Sequence, residues 1–219
     1  MYFQSRVEAG KLLAEQLMSQ FKGQDCAVVA LNDGGVMVGA QIALQMHCVL
    51  TLLLTESIVL PRENQALAGI AQDGSFSYNH GYSQGEIDEM VGEYYHVIEQ
   101  EKMTKMQEMH RLIGRGGLIR KDLLQDRIII LVTDGLADGF ALDVAMQFLK
   151  PIHTKKIVVA TPLASVPAVD RMHVLADGIY CLSVIEDYIS TDHYYDVQDV
   201  PPHDKVIKTI EEIVTHWKK

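Results

Sequence analysis

Arg127-Ile-Ile-Ile-Leu-Val-Thr-Asp-Gly-Leu-Ala-Asp-Gly-Phe-Ala141 decides how this chain is read. Ile128 to Val132 is a short apolar run of the kind that forms a buried strand. Thr133-Asp134-Gly135 breaks it, a second Asp-Gly pair follows at Asp138-Gly139, and a helical pattern begins there. A buried strand that ends in an acidic, glycine-rich turn and opens a helix is a frequent way to build a ligand site in an α/β sheet. The strand's end meets solvent, the turn lets backbone approach a ligand, and the helix N-terminus offers unpaired N–H groups.

The same alternation continues on both sides. Val7, Leu12, Leu13, Leu17, Met18 and Phe21 recur at helical spacing over residues 6–21, and Gly23 ends that helix. Cys26 to Leu31 reads as a strand, Asn32-Asp33-Gly34-Gly35 as a turn, Val36 to Met46 as a helix and Val49 to Leu54 as a second buried strand. This is a βαβ order, which implies parallel pairing and a right-handed crossover. Beyond the opening segment come a helix over 139–150, a strand Ile157–Thr161, a helix Val166–Leu175 and a short strand Ile179–Leu182. Glu186 to Val200 is a loop rich in Tyr, His and Asp, and 203–217 is a terminal helix. Residues 55–83 differ, being polar and turn-rich, with a hairpin expected from Ala66–Ala71 and Ser75–Tyr78 around Gln72-Asp73-Gly74. The longest helical pattern covers 84–113 and stops at Gly114-Arg115-Gly116-Gly117. The expectation is an α/β fold: about five parallel strands flanked by helices, as a single domain over 6–219, with a hairpin plus long-helix flap at about 55–117. Tyr2-Phe3-Gln4-Ser5 looks like the remnant of a cleavable tag, and residues 1–5 are set aside from fold reasoning.

At 219 residues, 48% hydrophobic and 22% charged, the chain has an ordinary globular composition. A net charge of −10 repels nucleic acid and anionic lipid alike, and no run of 18 apolar residues exists, so neither nucleic acid nor membrane is an expected partner. Cys26, Cys48 and Cys181 each lie in or beside apolar stretches, with no CxxC, which reads as reduced core cysteines of a cytoplasmic protein. The nine histidines match no zinc spacing, and no G-x-S-x-G elbow is present. Asp187, Asp192, Asp196 and Asp199 with His193 read as a solvated loop before a cation site. Arg115, Arg120, Lys121 and Arg127 read as a soluble linker before a partner surface. Met90, Met103, Met106 and Met109, with Tyr94, Tyr95 and Ile98, give the long helix an apolar stripe; core packing is the first reading, burial against a second copy the other.

Residues 127–141 resemble the phosphoribosyl pyrophosphate (PRPP) signature of type I phosphoribosyltransferases: hydrophobic residues, two acids, then a turn ending in Thr-Gly-x-Thr. Asn32, Asp33, Gly34 and Gly35 are similar to that family's pyrophosphate loop, often Pro-Arg-Gly-Gly. Leu67-Ala-Gly-Ile-Ala-Gln-Asp-Gly74 resembles the start of the flap in a poorly characterised branch, and His193-Tyr-Tyr-Asp-Val-Gln-Asp199 resembles that branch's tail motif. The resemblance implies a PRPP-loop equivalent made of Thr133, Asp134, Gly135, Leu136, Ala137, Asp138, Gly139, Phe140 and Ala141. It also implies Mg²⁺ if the protein is an active transferase, a homodimer, and a small phosphorylated or sugar ligand.

Residue by residue, the resemblance is damaged. Of the two acids that hold the ribose hydroxyls in active members, partly through Mg²⁺, the first is Thr133 and only Asp134 remains, a weak metal ligand by itself. The Asp often found three residues beyond, as proton donor or acceptor, is Ala137. The threonines of the phosphate loop correspond to Asp138 and Ala141, and Phe140 stands where a small residue is usual. Asp33 replaces a frequent Arg or Lys of the pyrophosphate loop, and Glu56 a frequent Lys after the second strand. A carboxylate about 4 Å from a phosphate costs about 4 kcal/mol at an effective dielectric near 20, roughly a thousandfold in affinity. Asp138, just before a helix, is instead suited to cap it as a built-in anion. No catalytic residue can be named. Two functions follow: a degenerate homologue that binds or regulates, which the residues favour, or an active Mg²⁺-dependent transferase acting on an unidentified base. Whether Arg62 supplies missing positive charge is open.

Overall fold

The computed structural model describes residues 2–61, 63, 65–113 and 119–216. Its elements run α1 (Arg6–Phe21), β1 (Cys26–Ala30), α2 (Asp33–Met46), β2 (Val49–Leu52), β3 (Thr55–Val59), β4 (Ala66–Ala71), β5 (Phe76–Tyr78) and α3 (Gln84–Ile113). Then come β6 (Ile128–Val132), α4 (Phe140–Leu149), β7 (Lys156–Ser165), α5 (Val166–Leu175), β8 (Gly178–Ile185) and α6 (His203–His216). The continuous apolar runs pair as a five-stranded parallel sheet in the order β2-β1-β6-β7-β8. Every residue of β1 and β6 is buried, as expected for central strands covered on both faces. The α/β architecture expected from sequence is therefore present.

Boundaries moved where side chains outside the periodic pattern intervene. α2 starts at Asp33 and not Val36, because the Asn32 side chain caps it, accepting from Gly35 N at 2.7 Å. β7 and β8 both extend past their expected ends, pairing as far as Ser165 with Ile185. β3 was not foreseen: only Ile58 is fully buried in it, too sparse a pattern to read as a strand. It pairs antiparallel with β4, and β4 with β5, to give a three-stranded sheet around the expected hairpin.

Contacts divide the chain into two compact units, one of Met1–Leu53, Ile119–Gly139 and Ile152–Lys219, the other of Leu54–Leu118 and Phe140–Pro151. The first holds the parallel sheet. The second, the flap unit, holds β3, β4, β5, α3 and α4, with α4 packed on the three-stranded sheet. Gly69 of β4 explains that packing: a Cβ there would come within 2.5 Å of Val144 and 3.0 Å of Phe140. α3 bends at Tyr94 (φ −109°, ψ 19°) and buries Ile87 and Ile98 against Ile58, Leu60 and Leu67. Of its methionines, Met109 is buried and Met90 packs on this cluster, whereas Met103 and Tyr95 are exposed.

The N-terminal residues set aside on sequence belong to the packing of the first unit, which corrects that exclusion for residues 3–5. Phe3 is buried, forms a parallel bridge to Tyr195 and accepts from Asp196 N, while Ser5 caps α1 through Glu8 N. Burial of a phenylalanine ring, and not its resemblance to a tag, decides its place. Among the described residues no helix is long and apolar enough to cross a membrane. Gly114 to Gly117, Arg115 and Arg62 lie outside the described residues.

Candidate functional site

The turns after β1 and β6 come together at the C-terminal end of the parallel sheet, where open α/β sheets place ligands. Leu31 N donates to Val132 O, and the Asn32 side-chain amide donates to Asp134 Oδ1 at 2.7 Å. Asn32 thus caps α2 with its oxygen and holds Asp134 with its nitrogen. Gly34 is required by the closeness of this approach, because a Cβ there would overlap the Asp134 carboxylate and meet Arg6 Nε at 2.9 Å. At Gly35 a Cβ would stand 2.8 Å from Val132 O. The two motifs singled out from sequence are therefore one piece of structure.

What holds Asp134 was not foreseen. Arg6, in the first turn of α1, donates from Nε to Asp134 Oδ2 at 2.6 Å. Only 2% of Arg6 and 3% of Asp134 is exposed, so both carboxylate oxygens and the guanidinium are enclosed. The rest of the guanidinium meets Asp192, Gln198 Oε1 at 3.3 Å and Asp199 Oδ1 at 3.6 Å, and its central carbon lies 4.4 Å from the Tyr195 ring centre. Asp199 also accepts from the backbone of Arg6 and Val7. Burial works against the Arg6 charge, but the hydrogen bonds and charges of Asp134 and Asp192 outweigh it and raise its pKa above the ordinary value. Tyr195 donates its hydroxyl to Asp134 O at 2.6 Å, and burial together with the Asp134 charge raises that phenol far above its usual range.

Arg6 carried no signal in the sequence beyond opening a helix. The tail motif 193–199 did carry one: Tyr195, Gln198 and Asp199, with Asp192 just before them, all converge on Arg6 or Asp134. This corrects the reading of the acidic loop as merely solvated, since two of its carboxylates neutralise a buried cation. Among the described residues no three His, Cys, Asp or Glu side chains are grouped so as to hold a metal ion.

The remaining loop residues divide. Thr133 is buried and bonds Gly135 O at 3.1 Å through its hydroxyl. Gly135 sits under Tyr188 and Thr191, and a Cβ there would be 2.5 Å from the Tyr188 hydroxyl. That phenol is pushed up to about 12, chiefly by burial. Leu136 pairs with Ala164 as an isolated parallel bridge, its N–H donated to Leu163 O, and Ser165 Oγ donates to Ala137 O. The loop thus prolongs the β6–β7 pairing. Asp138 is exposed and Gly139 is buried at φ +77°, with Arg171 2.9 Å from a Cβ there. Because α4 begins at Phe140, the cap position falls on Gly139, and Asp138 stands one residue earlier. Phe140 is buried in the flap unit; Ala141 is half-buried.

Asp33 and Glu56, singled out on sequence, also have partners. Asp33 holds His203 of α6, Nδ1 to Oδ1 at 2.8 Å, and Glu56 meets Lys105 Nζ at 3.4 Å within the flap unit. Of the sequence's basic patch, Arg120 pairs with Asp122 and Arg127 with Asp25. All three cysteines are free thiols, and burial pushes Cys26 to about 11 and Cys48 to about 12, which suits core residues and not nucleophiles.

Comparisons agree with this architecture. Two proteins from strains of Mycobacterium tuberculosis, provisionally designated phosphoribosyl transferases, are 27% identical over 183 residues. The matched region is 83% of this chain but only 40% of their length. A crystal structure of a Thermus thermophilus protein has the same fold, with a TM-score of 0.71 at 24% identity over the whole of both chains. The profile of the phosphoribosyl transferase domain matches residues 4–201, and the chain belongs to that family.

Proposed function

We propose that this chain keeps the phosphoribosyltransferase fold without phosphoribosyl transfer, and acts by binding or regulation through a site that no longer accepts PRPP. The observation that carries the reading is the engagement of both Asp134 oxygens, by Arg6 and by Asn32, in an enclosed setting. A ribose hydroxyl or a divalent ion would have to displace one of these donors and leave the other group buried and unsatisfied, which costs several kcal/mol. The family's Mg²⁺ finds no fitting donor set here: Thr133 has no charge, Asp134 is committed, and Asp33 holds His203. No step is therefore assigned to a metal.

The anion side of the site supports the same reading. Asp33 and Asp138 occupy positions where the family has cationic or hydroxyl groups, and each carboxylate near a phosphate costs about 4 kcal/mol at an effective dielectric near 20. Leu136 N–H is already donated to Leu163 O. Titration calorimetry with PRPP and Mg²⁺, together with pyrophosphate release over a panel of nucleobases, tests the proposal. The expected result is no binding in the micromolar range and no release. Tight PRPP binding or measurable turnover overturns it and restores the alternative, an active Mg²⁺-dependent transferase, whose support is family membership. Asp138→Thr combined with Ala141→Thr should improve binding of ribose 5-phosphate if Asp138 closes the ancestral phosphate site.

A further inference from the structure

A second group of reactive side chains lies at the opposite end of the parallel sheet, where its strands begin. Cys26 opens β1, and Cys48 immediately precedes β2. The two strands pair in parallel with Ala27 opposite Val49, and that register carried one residue back sets Cys26 beside Cys48. His47, at φ 54°, turns the chain from α2 straight into β2, and Cys48 N donates to Ala43 O, so Cys48 is held at the strand's entry. Neighbouring strands run about 4.8 Å apart, within the span of roughly 4.4–6.8 Å that a disulfide bridges between α-carbons. Side chains at matched positions of a parallel pair also lie on the same face of the sheet.

The surroundings agree with that geometry. Cys26 and Cys48 line one pocket of about 140 Å³ together with Asp25, His47 and Arg127. Cys48 is the outer of the two, 8% exposed against 2% for Cys26. Burial first, and then Cys26, holds the proton on Cys48, while Arg127 works the other way. Each sulfur therefore lies within electrostatic reach of the other. A zinc ion takes four ligands, and among the described residues no three His, Cys, Asp or Glu side chains are grouped for one. Oxidation is the chemistry that two adjacent thiols can carry out by themselves.

We propose that Cys26 and Cys48 are a peroxide-sensitive dithiol that closes to an intramolecular disulfide and staples β1 to the entry of β2. Cys48, the more exposed, reacts first. Its sulfur attacks one peroxide oxygen, the O–O bond breaks, and the departing hydroxide takes the thiol proton as water, leaving a sulfenic acid. Cys26 then attacks that sulfur, the S–O bond breaks, and the hydroxyl leaves with the Cys26 proton as a second water. Two thiols and one hydrogen peroxide give one disulfide and two waters; sulfur is oxidised and peroxide oxygen reduced. Thiols that hold their protons are slow to attack and slow to leave, which suits a lasting crosslink and not an exchange catalyst. The loop it closes contains β1, the turn of Asn32 to Gly35 and all of α2, the segment that brings Asn32 to Asp134. Oxidation thus braces the candidate site from its far end without touching it. This goes beyond the proposed function, and neither depends on the other.

The test treats the folded full chain with hydrogen peroxide at neutral pH, counts thiols in denaturant and maps unreduced peptides by mass spectrometry. The expected result is a fall from three free thiols to one, with the Cys26 peptide joined to the Cys48 peptide and the chain lighter by two hydrogens. Dithiothreitol should restore all three. The bridged chain should unfold at higher urea than the reduced one, because a crosslink constrains the unfolded state. Cys48→Ser should give no internal bridge, whereas Cys181→Ser should still form it. An unchanged thiol count, oxygen added to Cys26 or Cys48 without a bridge, or a bridge through Cys181 overturns the proposal. A Cys26–Cys48 bridge that leaves the urea midpoint unchanged or lower overturns it as well. The peptide map is read on the unsubstituted chain, so it decides even where a variant fails to fold.

Discussion

The parallel-sheet unit and the flap unit bury polar side chains in opposite ways. In the first, a guanidinium and three carboxylates from opposite ends of the chain satisfy one another, Arg6 with Asp134, Asp192 and Asp199. In the second, buried Gln72 accepts from Leu54 N and buried Asn79 donates to Ala66 O, so nearby main chain does most of the work. Its buried carboxylate, Asp143, meets a half-exposed imidazole, His80 Nδ1, at 2.9 Å. The flap unit relies mainly on hydrogen bonds to main chain, with the Asp143–His80 pair beside them. The sheet unit depends on a charge network in which every member needs the others.

The largest effect that follows from this contrast is at Arg6. Arg6→Ala strands a buried Asp134, and chemical denaturation should show a loss of about 3–5 kcal/mol. Replacing the pair together, Arg6→Met with Asp134→Leu, should recover much of it; a single variant no worse than the double would break the contrast. Next comes Gly34→Ala, whose methyl group would overlap the Asp134 carboxylate. Overpacking of this kind costs about 1–3 kcal/mol, and the rigidity of the pair places it at the upper end of that range. Tyr195→Phe removes the donor to Asp134 O and should cost about 1–2 kcal/mol, seen as a lower melting temperature with the spectrum unchanged. In the flap, His80→Ala removes a half-exposed partner from the buried Asp143 carboxylate and should cost about 1–3 kcal/mol, less than at Arg6. A loss as large as that at Arg6 would show that the flap also relies on charge.

A smaller effect belongs to the far end of the parallel sheet and appears only in alkali. Cys26 and Cys48 have folded pKa values raised to about 11 and 12 by burial, above their unfolded values near 9. Their neutral forms are therefore favoured in the native state. That contribution is intact below pH 9 and declines as the pH rises through about 11 and 12. Urea midpoints measured from pH 8 upward should fall less steeply in Cys48→Ala than in the wild type.

Much of this was legible in the chain. Apolar runs at Cys26–Ala30, Ile128–Val132 and beyond, each closed by Gly- and Asp-rich turns, announce a parallel sheet, because strands buried on both faces leave no polar alternation. The motifs at 32–35 and 133–141 announce the turns that meet at its C-terminal end. What stayed hidden has a common cause. β3 exposes most of its side chains and so lacks a pattern. Phe3 is a single aromatic residue without a neighbour to give it periodicity, although it anchors a cluster with Tyr194 and Tyr195.

The sequence by itself determined the order of strands and helices, β3 excepted, and the family. Those are properties of local pattern, encoded within a few residues of one another. Only the tertiary structure decided that Asp134 faces Arg6 and Asn32 instead of an open site, and that Asp33 is taken up by His203. A carboxylate has the same letter whether it faces solvent, a ligand or a guanidinium. Which one it meets is settled by segments more than 100 residues apart folding to the same point, as Asp134 does with both Asn32, 102 positions away, and Arg6, 128 away.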